Sequence, residues 1–342
     1  MRLTTTLFCS FILFWPAQYT ARAATSITSL KSPYPTIGSI ERLDPALDHL
    51  LDPDEKVETL AEGFSWSEGP IWVPAEHALL FSDTRENIVY RWSADKGATV
   101  FLTPSGFTGD FYDGKERGSN GLTLDAKGHL LLAQHGNRQI AQLAADGHSF
   151  SPLADRYEGK RFNSPNDLCV DRAGRIYFTD PPYGLGKSAK QEIDFCGVYR
   201  VNGDGSVGLI TRELERPNGI VLSPDQRTLY IANSHGPRPI IAALEIRDDG
   251  SAGPLRVFFD GAPLAAKGER GAPDGMKVDT EGNLWATGPG GVLIIDRAGK
   301  HLGTIHTGRP TANCAFGDDD AGMLYITANS TLCRIRTKAR GR

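Results

Sequence analysis

Six times along this 342-residue chain, a carboxylate or carboxamide residue stands directly before the same β-hairpin pattern. Examples are EGPIWVPAEHALLF, beginning at Glu68, and NDLCVDRAGRIYFT, beginning at Asn166. The six leading residues are Glu68, Asn120, Asn166, Asn218, Asp274 and Asn313, separated by 52, 46, 52, 56 and 39 positions. Repeats of about 40–50 residues are typical of propeller blades. In a closed propeller the leading residues would occupy equivalent places and converge on one axis.

The hairpin pattern itself favours strands throughout. Apolar residues alternate after each leading residue, as at Leu122 and Leu124, and this period of two indicates a half-buried strand. Three repeats then share an Asp-x-x-Gly turn, for example Asp171 to Gly174, before a return strand rich in aromatic and β-branched residues. A solenoid would need shorter, more regular units and capping ends. We therefore predict an all-β, six-bladed β-propeller, closed by a strand that Val57–Leu60 adds to the last blade.

The first residues have the features of a secretory signal peptide. Arg2 supplies a basic start, Leu7–Trp15 an apolar run, and Ala21-Arg22-Ala23 a cleavage pattern, so residues 1–23 are expected to be removed. Residues 24–53 lack the hairpin pattern and are expected to form an N-terminal arm, with the propeller domain spanning 54–342. The apolar run is too short to span a bilayer, which takes about 20 residues. The protein is expected to be exported, to the periplasm or the medium.

Charge and cysteine content narrow the function classes. Lys and Arg total 37 against 41 Asp and Glu, a net charge of −4, so the chain has no basic footprint for nucleic acid. No other stretch is apolar enough for a membrane span. Four cysteines follow the signal segment without CxxC spacing, and they could form two disulfides or remain buried thiols; they are Cys169, Cys196, Cys314 and Cys333.

The leading residues form a candidate metal site. Asn-Gly and Asp-Gly pairs are also turn formers, but six at blade spacing, two of them acidic, favour a shared site. Carboxylates from Glu68 and Asp274, with amide oxygens and water, suit a hard divalent cation. Ca²⁺ fits this set first, with Mg²⁺, Mn²⁺ or Zn²⁺ as alternatives. The absence of His and Cys from the leading positions argues against a dedicated zinc or copper site.

Longer stretches carry a family resemblance. They are SEGPIWV around Glu68, FNSPNDLCVDRAGRIYFTDPPYG around Asn166, RPNGIVLSPD around Asn218 and APDGMKVDTEGNLW around Asp274. Through these the chain, from about Glu62 to Ile335, resembles the senescence marker protein / gluconolactonase / luciferin-regenerating enzyme family, and bacterial gluconolactonases in particular.

The resemblance implies a six-bladed propeller with one divalent metal on its axis, held by Glu68, Asn166, Asn218 and Asp274. It also implies that Asp274 is the general base and that the substrates are small-molecule lactones. One family position differs: mammalian members place a substrate-binding Arg two residues before the first metal-site Asn, where this chain has Ser164. Arg161 is the candidate replacement.

Other polar residues near the predicted mouth are candidate substrate contacts. Asn120 leads a repeat and is expected to bind substrate rather than metal. Asp167 could orient substrate or bond backbone in its turn. His135 and His235 could act as acid, base or sugar contact, or could simply be solvated. Asn313 leads the shortest repeat, and we expect a structural role for it.

Two function classes follow. The first is a metal-dependent hydrolase that opens sugar lactones; the second is a non-catalytic, calcium-stabilised propeller that binds a sugar or protein. Organophosphate hydrolysis could use the same site. The motifs HExxH and GxSxG do not occur, which removes the usual zinc protease and serine esterase routes. The loops Phe101–Arg117 and Gly261–Gly271 are expected to set specificity. Neither the physiological lactone nor the oligomeric state follows from the sequence.

Overall fold

Each sequence repeat forms one antiparallel sheet, and the sheets are the blades of a six-bladed β-propeller. The computed structural model describes residues 26–341, so residues 1–23, which we predict to be a signal segment, lie outside the described residues. Within that range the fold is nearly all strand, as the alternating pattern predicted.

The strands are numbered in chain order. Four precede the first blade: β1 (Thr28–Ser29), β2 (Thr36–Ile37), β3 (Ser39–Arg42) and β4 (Val57–Glu62). Blade 1 has β5 (Ser67–Val73), β6 (Ala78–Asp83), β7 (Ile88–Ser93) and β8 (Gly97–Leu102). Blade 2 has β9 (Ser119–Leu124), β10 (Leu130–Gln134), β11 (Gln139–Leu143) and β12 (Phe150–Ala154), followed by the small hairpin of β13 (Arg156–Tyr157) and β14 (Lys160–Arg161).

The remaining blades repeat this order. Blade 3 has β15 (Leu168–Val170), β16 (Ile176–Asp180), β17 (Gly197–Val201) and β18 (Val207–Thr211). Blade 4 has β19 (Pro217–Leu222), β20 (Thr228–His235), β21 (Arg238–Glu245) and β22 (Arg256–Asp260). Blade 5 has β23 (Met276–Val278), β24 (Leu284–Gly288), β25 (Gly291–Ile295) and β26 (His301–His306). Blade 6 has β27 (Asn313–Gly317), β28 (Met323–Ala328) and β29 (Thr331–Arg336).

Short helices interrupt the described strands at three places. The 3₁₀ helices are Pro45–His49 and Pro74–Glu76, and the α-helix α1 spans Ala262–Ala266 in the loop after β22. Between residues 26 and 341, no helix combines the length and apolar character needed to cross a bilayer.

The predicted turns form within the blades. In blade 3, Asp171 Oδ1 accepts the backbone N–H groups of Ala173 and Arg175, both at 2.9 Å, and Gly174 takes a left-handed φ of +80°. The side chain thus satisfies the backbone of the bend, and glycine enters a conformation in which a Cβ would be strained. These two residues explain why the Asp-x-x-Gly spacing recurs.

The ring closes through an N-terminal strand, as predicted. β4 pairs antiparallel with β29, with Leu332 opposite Ala61 and Cys333 opposite Thr59, and so becomes the fourth strand of blade 6. The strand extends two residues beyond the predicted Leu60, to Glu62. Pairing the first strand with the last blade joins the two ends of the ring.

The segment expected to be an arm adds edge strands to two blades. β1 and β2 pair with β4 on blade 6, whereas β3 pairs with β26 on blade 5. Between them, Leu47 and Leu51 have no exposed surface and pack into the apolar cluster that contains Trp285. The described part of the arm therefore bridges blades 5 and 6.

The apolar core lies between neighbouring blades. One cluster joins Leu131 and Ile140 of blade 2 to Phe178 and Tyr199 of blade 3, and equivalent clusters join the other neighbours. Burial between blades removes the apolar faces from water and leaves the innermost strand starts for polar side chains. The core thereby places the leading residues on the axis.

The sequence left open whether the cysteines form disulfides or remain buried thiols, and the structure answers this for three of them. Cys196, Cys314 and Cys333 are buried thiols that form no disulfide in the described structure. Burial raises the pKa of each thiol, so they remain protonated and pack as small apolar groups.

Candidate active site

The leading residues meet on the propeller axis, through hydrogen bonds between neighbouring blades. Asn120 Nδ2 donates to Asn166 Oδ1 at 2.9 Å, and Asn166 Nδ2 donates to Asn218 Oδ1 at 2.5 Å. On the other side of the ring, Asn313 Nδ2 lies 3.4 Å from Glu68 Oε2. Each innermost strand begins within two residues of its leading residue, so equivalent strand starts bring these side chains together.

The three amides form a directed chain that ends beside Asp274. Asn218 Nδ2 donates to Ser234 Oγ at 3.0 Å, and Ser234 Oγ in turn donates to the backbone carbonyl of Pro273. Asn120 and Asn166 therefore donate to the next blade, whereas Asn218 is linked to Pro273 through Ser234 of its own blade. Asn120 Oδ1, at the start of the chain, is buried and has no hydrogen-bond partner in residues 26–341.

Buried carboxylates lie around the axis near this chain. Burial, followed by the charges of Glu68, Asp167 and Glu116, raises the pKa of Asp274 well above its usual range. Burial likewise raises the pKa of Glu68 to about 8, despite the hydrogen bond from Gly69 N. Buried like charges repel one another and disfavour ionisation unless a cation neutralises them.

These side chains fit a divalent cation. Asp274 Oδ1 is buried and accepts no hydrogen bond from any described residue, and Asn120 Oδ1 is in the same state. Two carboxylates, amide oxygens and unpartnered oxygens are the donor set of a hard cation such as Ca²⁺. No group of three or more His, Cys, Asp and Glu side chains with metal-site geometry occurs in residues 26–341. Any site here therefore depends on the asparagines as well as the acids.

Asn166 has a further contact that sequence reasoning did not assign. His135 has no exposed surface, and its Nε2 lies 3.0 Å from Asn166 Oδ1. Burial lowers the pKa of His135 to about 4, so the ring is neutral at pH 7 and Nε2 must carry the proton it shares with this oxygen. Asn166 Oδ1 then accepts from both His135 and Asn120, which uses both of its lone pairs. Ligation by this oxygen requires one of those donors to turn away.

A cavity of about 230 Å³ opens over the leading residues. The four predicted metal ligands and Asn120 all line it, together with residues from loops and from strand β20. These further lining residues are Trp66, Glu116, Tyr183, Ser234, Gly271, Ala272, Pro310 and Thr311. The predicted ligand set is thus gathered at one solvent-accessible point.

Two predicted substrate contacts lie behind the cavity wall. Asp167 is buried, with Oδ1 accepting Leu168 N at 2.9 Å and Oδ2 lying 3.5 Å from Asn313 Nδ2. Neither Asp167 nor His135 lines the cavity. A direct contact between substrate and either residue is therefore not supported by this geometry, and both residues instead touch the leading asparagines. Asn313, for which we predicted a structural role, separates the carboxylates of Glu68 and Asp167.

Arg161 does not take the place of the family's substrate-binding arginine. Its Nη2 donates to Asn137 O at 2.7 Å, and it does not line the cavity. Ser164 is buried, and its Oγ donates to Pro181 O and accepts from Gly184 N. These bonds hold the loop that carries Tyr183 into the cavity. His235 ends β20 and does not line the cavity either.

Several lining residues were not predicted individually. Glu116 and Gly271 belong to the two loops expected to set specificity, and Tyr183 belongs to the long family-like stretch. The sequence therefore indicated the segments that contain these three residues, but not the residues themselves. Trp66 and Ser234 carried no distinguishing pattern in the sequence.

Comparison with known proteins identifies the family of the chain. Residues 66–330 match the family model described as SMP-30/Gluconolactonase/LRE-like region. The chain is 41% identical to a gluconolactonase of Zymomonas mobilis over 90% of its own length and 88% of that protein. A solved gluconolactonase of Xanthomonas campestris is 34% identical, with a TM-score of 0.77, over 89% of this chain and 97% of that one.

A more distant structure shares the fold. It is a calcium-binding regucalcin of Agrobacterium tumefaciens, 20% identical with a TM-score of 0.65 over 82% of this chain and 92% of that one. The family model and the two gluconolactonases confirm the resemblance inferred from the four sequence stretches. The chain therefore belongs to the SMP-30/gluconolactonase/LRE-like family.

Proposed function

We propose that this protein is a lactonase that hydrolyses sugar lactones of the gluconolactone kind and depends on one divalent cation. The observation that carries the proposal is the axial cavity, in which Asp274, with an unpartnered carboxylate oxygen, faces Glu68 and a chain of amides. Similarity to gluconolactonases across most of the chain supports the substrate class. A cavity of about 230 Å³ suits a ligand of monosaccharide size.

The cation would be held by Glu68, Asn166, Asn218 and Asp274. When bound there, it would supply Lewis-acid polarisation of the lactone carbonyl and would lower the pKa of water. Ca²⁺ matches these oxygen donors.

Asp274 would act as the general base. Its Oδ1 has no competing protein donor, so it can accept the proton of a water that attacks the lactone carbonyl carbon. The bond between that carbon and the ring oxygen then breaks. The ring oxygen takes up the proton, and the product is the open hydroxy acid.

The remaining cavity residues would hold the sugar. Asn120 Oδ1 offers an acceptor for a sugar hydroxyl, and Tyr183 contributes a hydroxyl that stays protonated because burial raises its pKa. Trp66 supplies an apolar face. Such contacts fix the ring so that its carbonyl meets the base.

The proposal is tested by acid release from a panel of aldonolactones, with and without chelator. We expect hydrolysis that a chelator abolishes and added Ca²⁺ restores. Hydrolysis that survives complete removal of metal would contradict the cation while leaving a lactonase. A protein that opens no lactone would instead be the binding propeller, or, if it cleaves an organophosphorus fluoride, an organophosphate hydrolase.

We also propose that the enzyme works after export, in the periplasm or the medium. The support is the basic start, short apolar run and A-x-A pattern of residues 1–23. Fusing residues 1–30 to a reporter enzyme that is active only outside the cytoplasm tests this. An inactive fusion that accumulates in the cytoplasm would overturn it.

A further inference from the structure

A second cavity, of about 470 Å³, lies beside the candidate active site. It is lined by Arg85, Glu86, Tyr112, Gly114, Lys115 and Arg117. Three of these side chains are cationic and one is acidic, and the acid, Glu86, accepts a hydrogen bond from Ser65 Oγ. The three cations form no ion pair among the residues the structure describes. We call Arg85, Lys115 and Arg117 the cationic subsite.

The two cavities share a wall. The guanidinium of Arg85 lies 5.0 Å from the centre of the Trp66 ring. Trp66 lines the 230 Å³ cavity of the candidate active site, which we call the lactone cavity. Glu116 also lines the lactone cavity, while its neighbours Lys115 and Arg117 line the second one. Consecutive residues of one loop therefore face two adjoining cavities.

The surrounding structure holds Arg85 and the loop that carries Lys115 and Arg117. Stacking on Trp66 and a 3.3 Å bond from Nη1 to Ser65 O orient Arg85. The Tyr112 hydroxyl lies 2.7 Å from Glu116 O and 2.6 Å from Gly184 O and donates to one of them at a time. Ser188 N donates to Asp113 Oδ2 at 2.9 Å, which ties the same loop to the segment after Tyr183. A fixed loop loses little entropy when a ligand binds.

The two cavities carry different ionisable groups. Glu68, Glu116 and Asp274 line the lactone cavity, where the proposed cation would offset their charge, whereas the neighbouring cavity carries an excess of positive charge. An uncharged sugar lactone makes no use of that difference. A lactone that carries an anionic group away from its carbonyl can place each end in the field that suits it.

We infer that the cationic subsite binds a carboxylate or other anionic substituent of the substrate, and that the preferred substrates are acidic sugar lactones. This inference rests on the proposed lactonase function. Guanidinium and ammonium groups are the donors that carboxylates, phosphates and sulfonates share. The specificity then lies in Arg85, Lys115 and Arg117, outside the residues that perform hydrolysis.

The test uses two substrates that differ at one carbon. D-Glucaro-1,4-lactone carries a carboxylate where D-glucono-1,4-lactone carries a hydroxymethyl group. The metal-loaded wild type is compared with Lys115→Gln/Arg117→Gln. The matched control is Lys96→Gln/Lys127→Gln, which removes the same charge from two exposed turns. Hydrolysis is followed by acid release at low and moderate salt.

We expect the wild type to prefer the glucaro-lactone. The ratio of kcat/KM for the acidic lactone to that for the neutral one should fall about tenfold or more in the subsite variant and stay within about twofold in the control. Added salt should reduce the wild-type preference. An unchanged ratio in the subsite variant, or a wild type that favours the neutral lactone, overturns the subsite and leaves the lactonase intact. Failure to hydrolyse both of these lactones overturns the subsite, and failure with the whole aldonolactone panel overturns the lactonase as well.

Discussion

At the residue scale, the two axial carboxylates differ in their contacts. Glu68 Oε2 accepts Gly69 N at 3.0 Å and lies 3.4 Å from Asn313 Nδ2, whereas Asp274 Oδ1 accepts no hydrogen bond among the described residues. A carboxylate already bonded to the protein is restrained as a ligand. One with a lone pair free toward the cavity can take a proton. This difference supports the proposal that Asp274, besides holding the cation, is the residue that takes the proton.

Replacing Asp274 by asparagine should separate these functions. Asp274→Asn keeps an oxygen at the site but cannot accept the proton, and removal of a general base typically costs roughly 10²–10⁴-fold in rate. We expect kcat for glucono-δ-lactone to fall in this range at saturating Ca²⁺. Near-wild-type turnover by the metal-loaded variant would exclude Asp274 as the base.

Replacing Glu68 by glutamine should instead act on metal affinity. One of two carboxylate ligand charges is removed, so Ca²⁺ binding should weaken by roughly tenfold or more while the strand content is unchanged. Asp167→Asn is the matched control, since Asp167 is a buried acid of the same cluster that does not line the cavity. Calorimetric titration of both variants measures the difference. Equal affinity of Glu68→Gln and wild type would refute the ligand assignment.

Burial of Asp180 should make the stability of the protein depend on pH. Burial raises its pKa to about 7, compared with about 3.9 in an unfolded chain. Between these values the folded state holds a proton that the unfolded state lacks, so this group's contribution to stability falls as the pH rises from about 4 to about 7. The full effect is at most roughly 4 kcal/mol.

The asparagine variant should flatten that dependence. Asp180→Asn is uncharged at every pH and keeps an oxygen for the 2.8 Å bond from Asn163 N. Urea midpoints at pH 5 and pH 8 should therefore differ less for the variant than for the wild type. Asp146→Asn, at an exposed turn where hydrogen bonds from Ser149 lower the pKa to about 2, should show the wild-type difference. A variant as pH-dependent as the wild type would contradict the shift at Asp180.

The sequence predicted the axial residues better than the cavity wall. Glu68, Asn166, Asn218 and Asp274 lie in repeated contexts, so the symmetry of the fold predicts that they converge. Tyr183 reaches the cavity from a loop between strands. Its position depends on contacts such as Gly184 N to Ser164 Oγ, which no periodic pattern encodes.

At the element scale, blade 6 depends on one strand from the other end of the domain. Leu60 of β4 has no exposed surface and packs with Phe64, Phe81 and Leu332. Leu60→Ala should lower the free energy of unfolding by about 2–5 kcal/mol, because it leaves a cavity between blades 6 and 1. Val100→Ala, on the exposed edge of blade 1, should change it by about 0.5 kcal/mol at most. Similar denaturation curves for the two variants would show that the closing strand contributes little.

The closing strand and the arm differ in how well sequence predicts them. A propeller must close on itself, so the pairing of β4 with the last blade could be inferred before the structure. β1 and β2 contain two residues each, too few for a periodic signal, and their pairing with β4 is decided by long-range contacts. The burial of Leu47 and Leu51 also depends on long-range contacts, with the apolar cluster that contains Trp285.

At the scale of the whole molecule, the ring places hydrophobic burial and chemistry in different regions. Apolar clusters fill the spaces between blades, and polar strand starts fill the axis. The buried carboxylates would destabilise an ordinary core because they repel one another. Here each belongs to a different blade, so the packing that holds the blades together also holds the charges in place for a cation.

The arm makes a testable contribution to that packing. Removing residues up to 53 takes β3 from the edge of blade 5, and β1 and β2 from β4. It also removes Leu47 and Leu51, whose burial is worth about 1.5–3 kcal/mol each, and exposes the unpaired edge of β26.

A chain that starts at Asp54 should therefore melt at a lower temperature than one that starts at Ser26. It should also associate through the exposed edge, which gel filtration would detect as larger species. If the shortened chain still folds, it should bind Ca²⁺ with unchanged affinity, because every axial residue lies beyond residue 53. Equal melting temperatures for the two chains would show that the arm rests on the propeller without stabilising it.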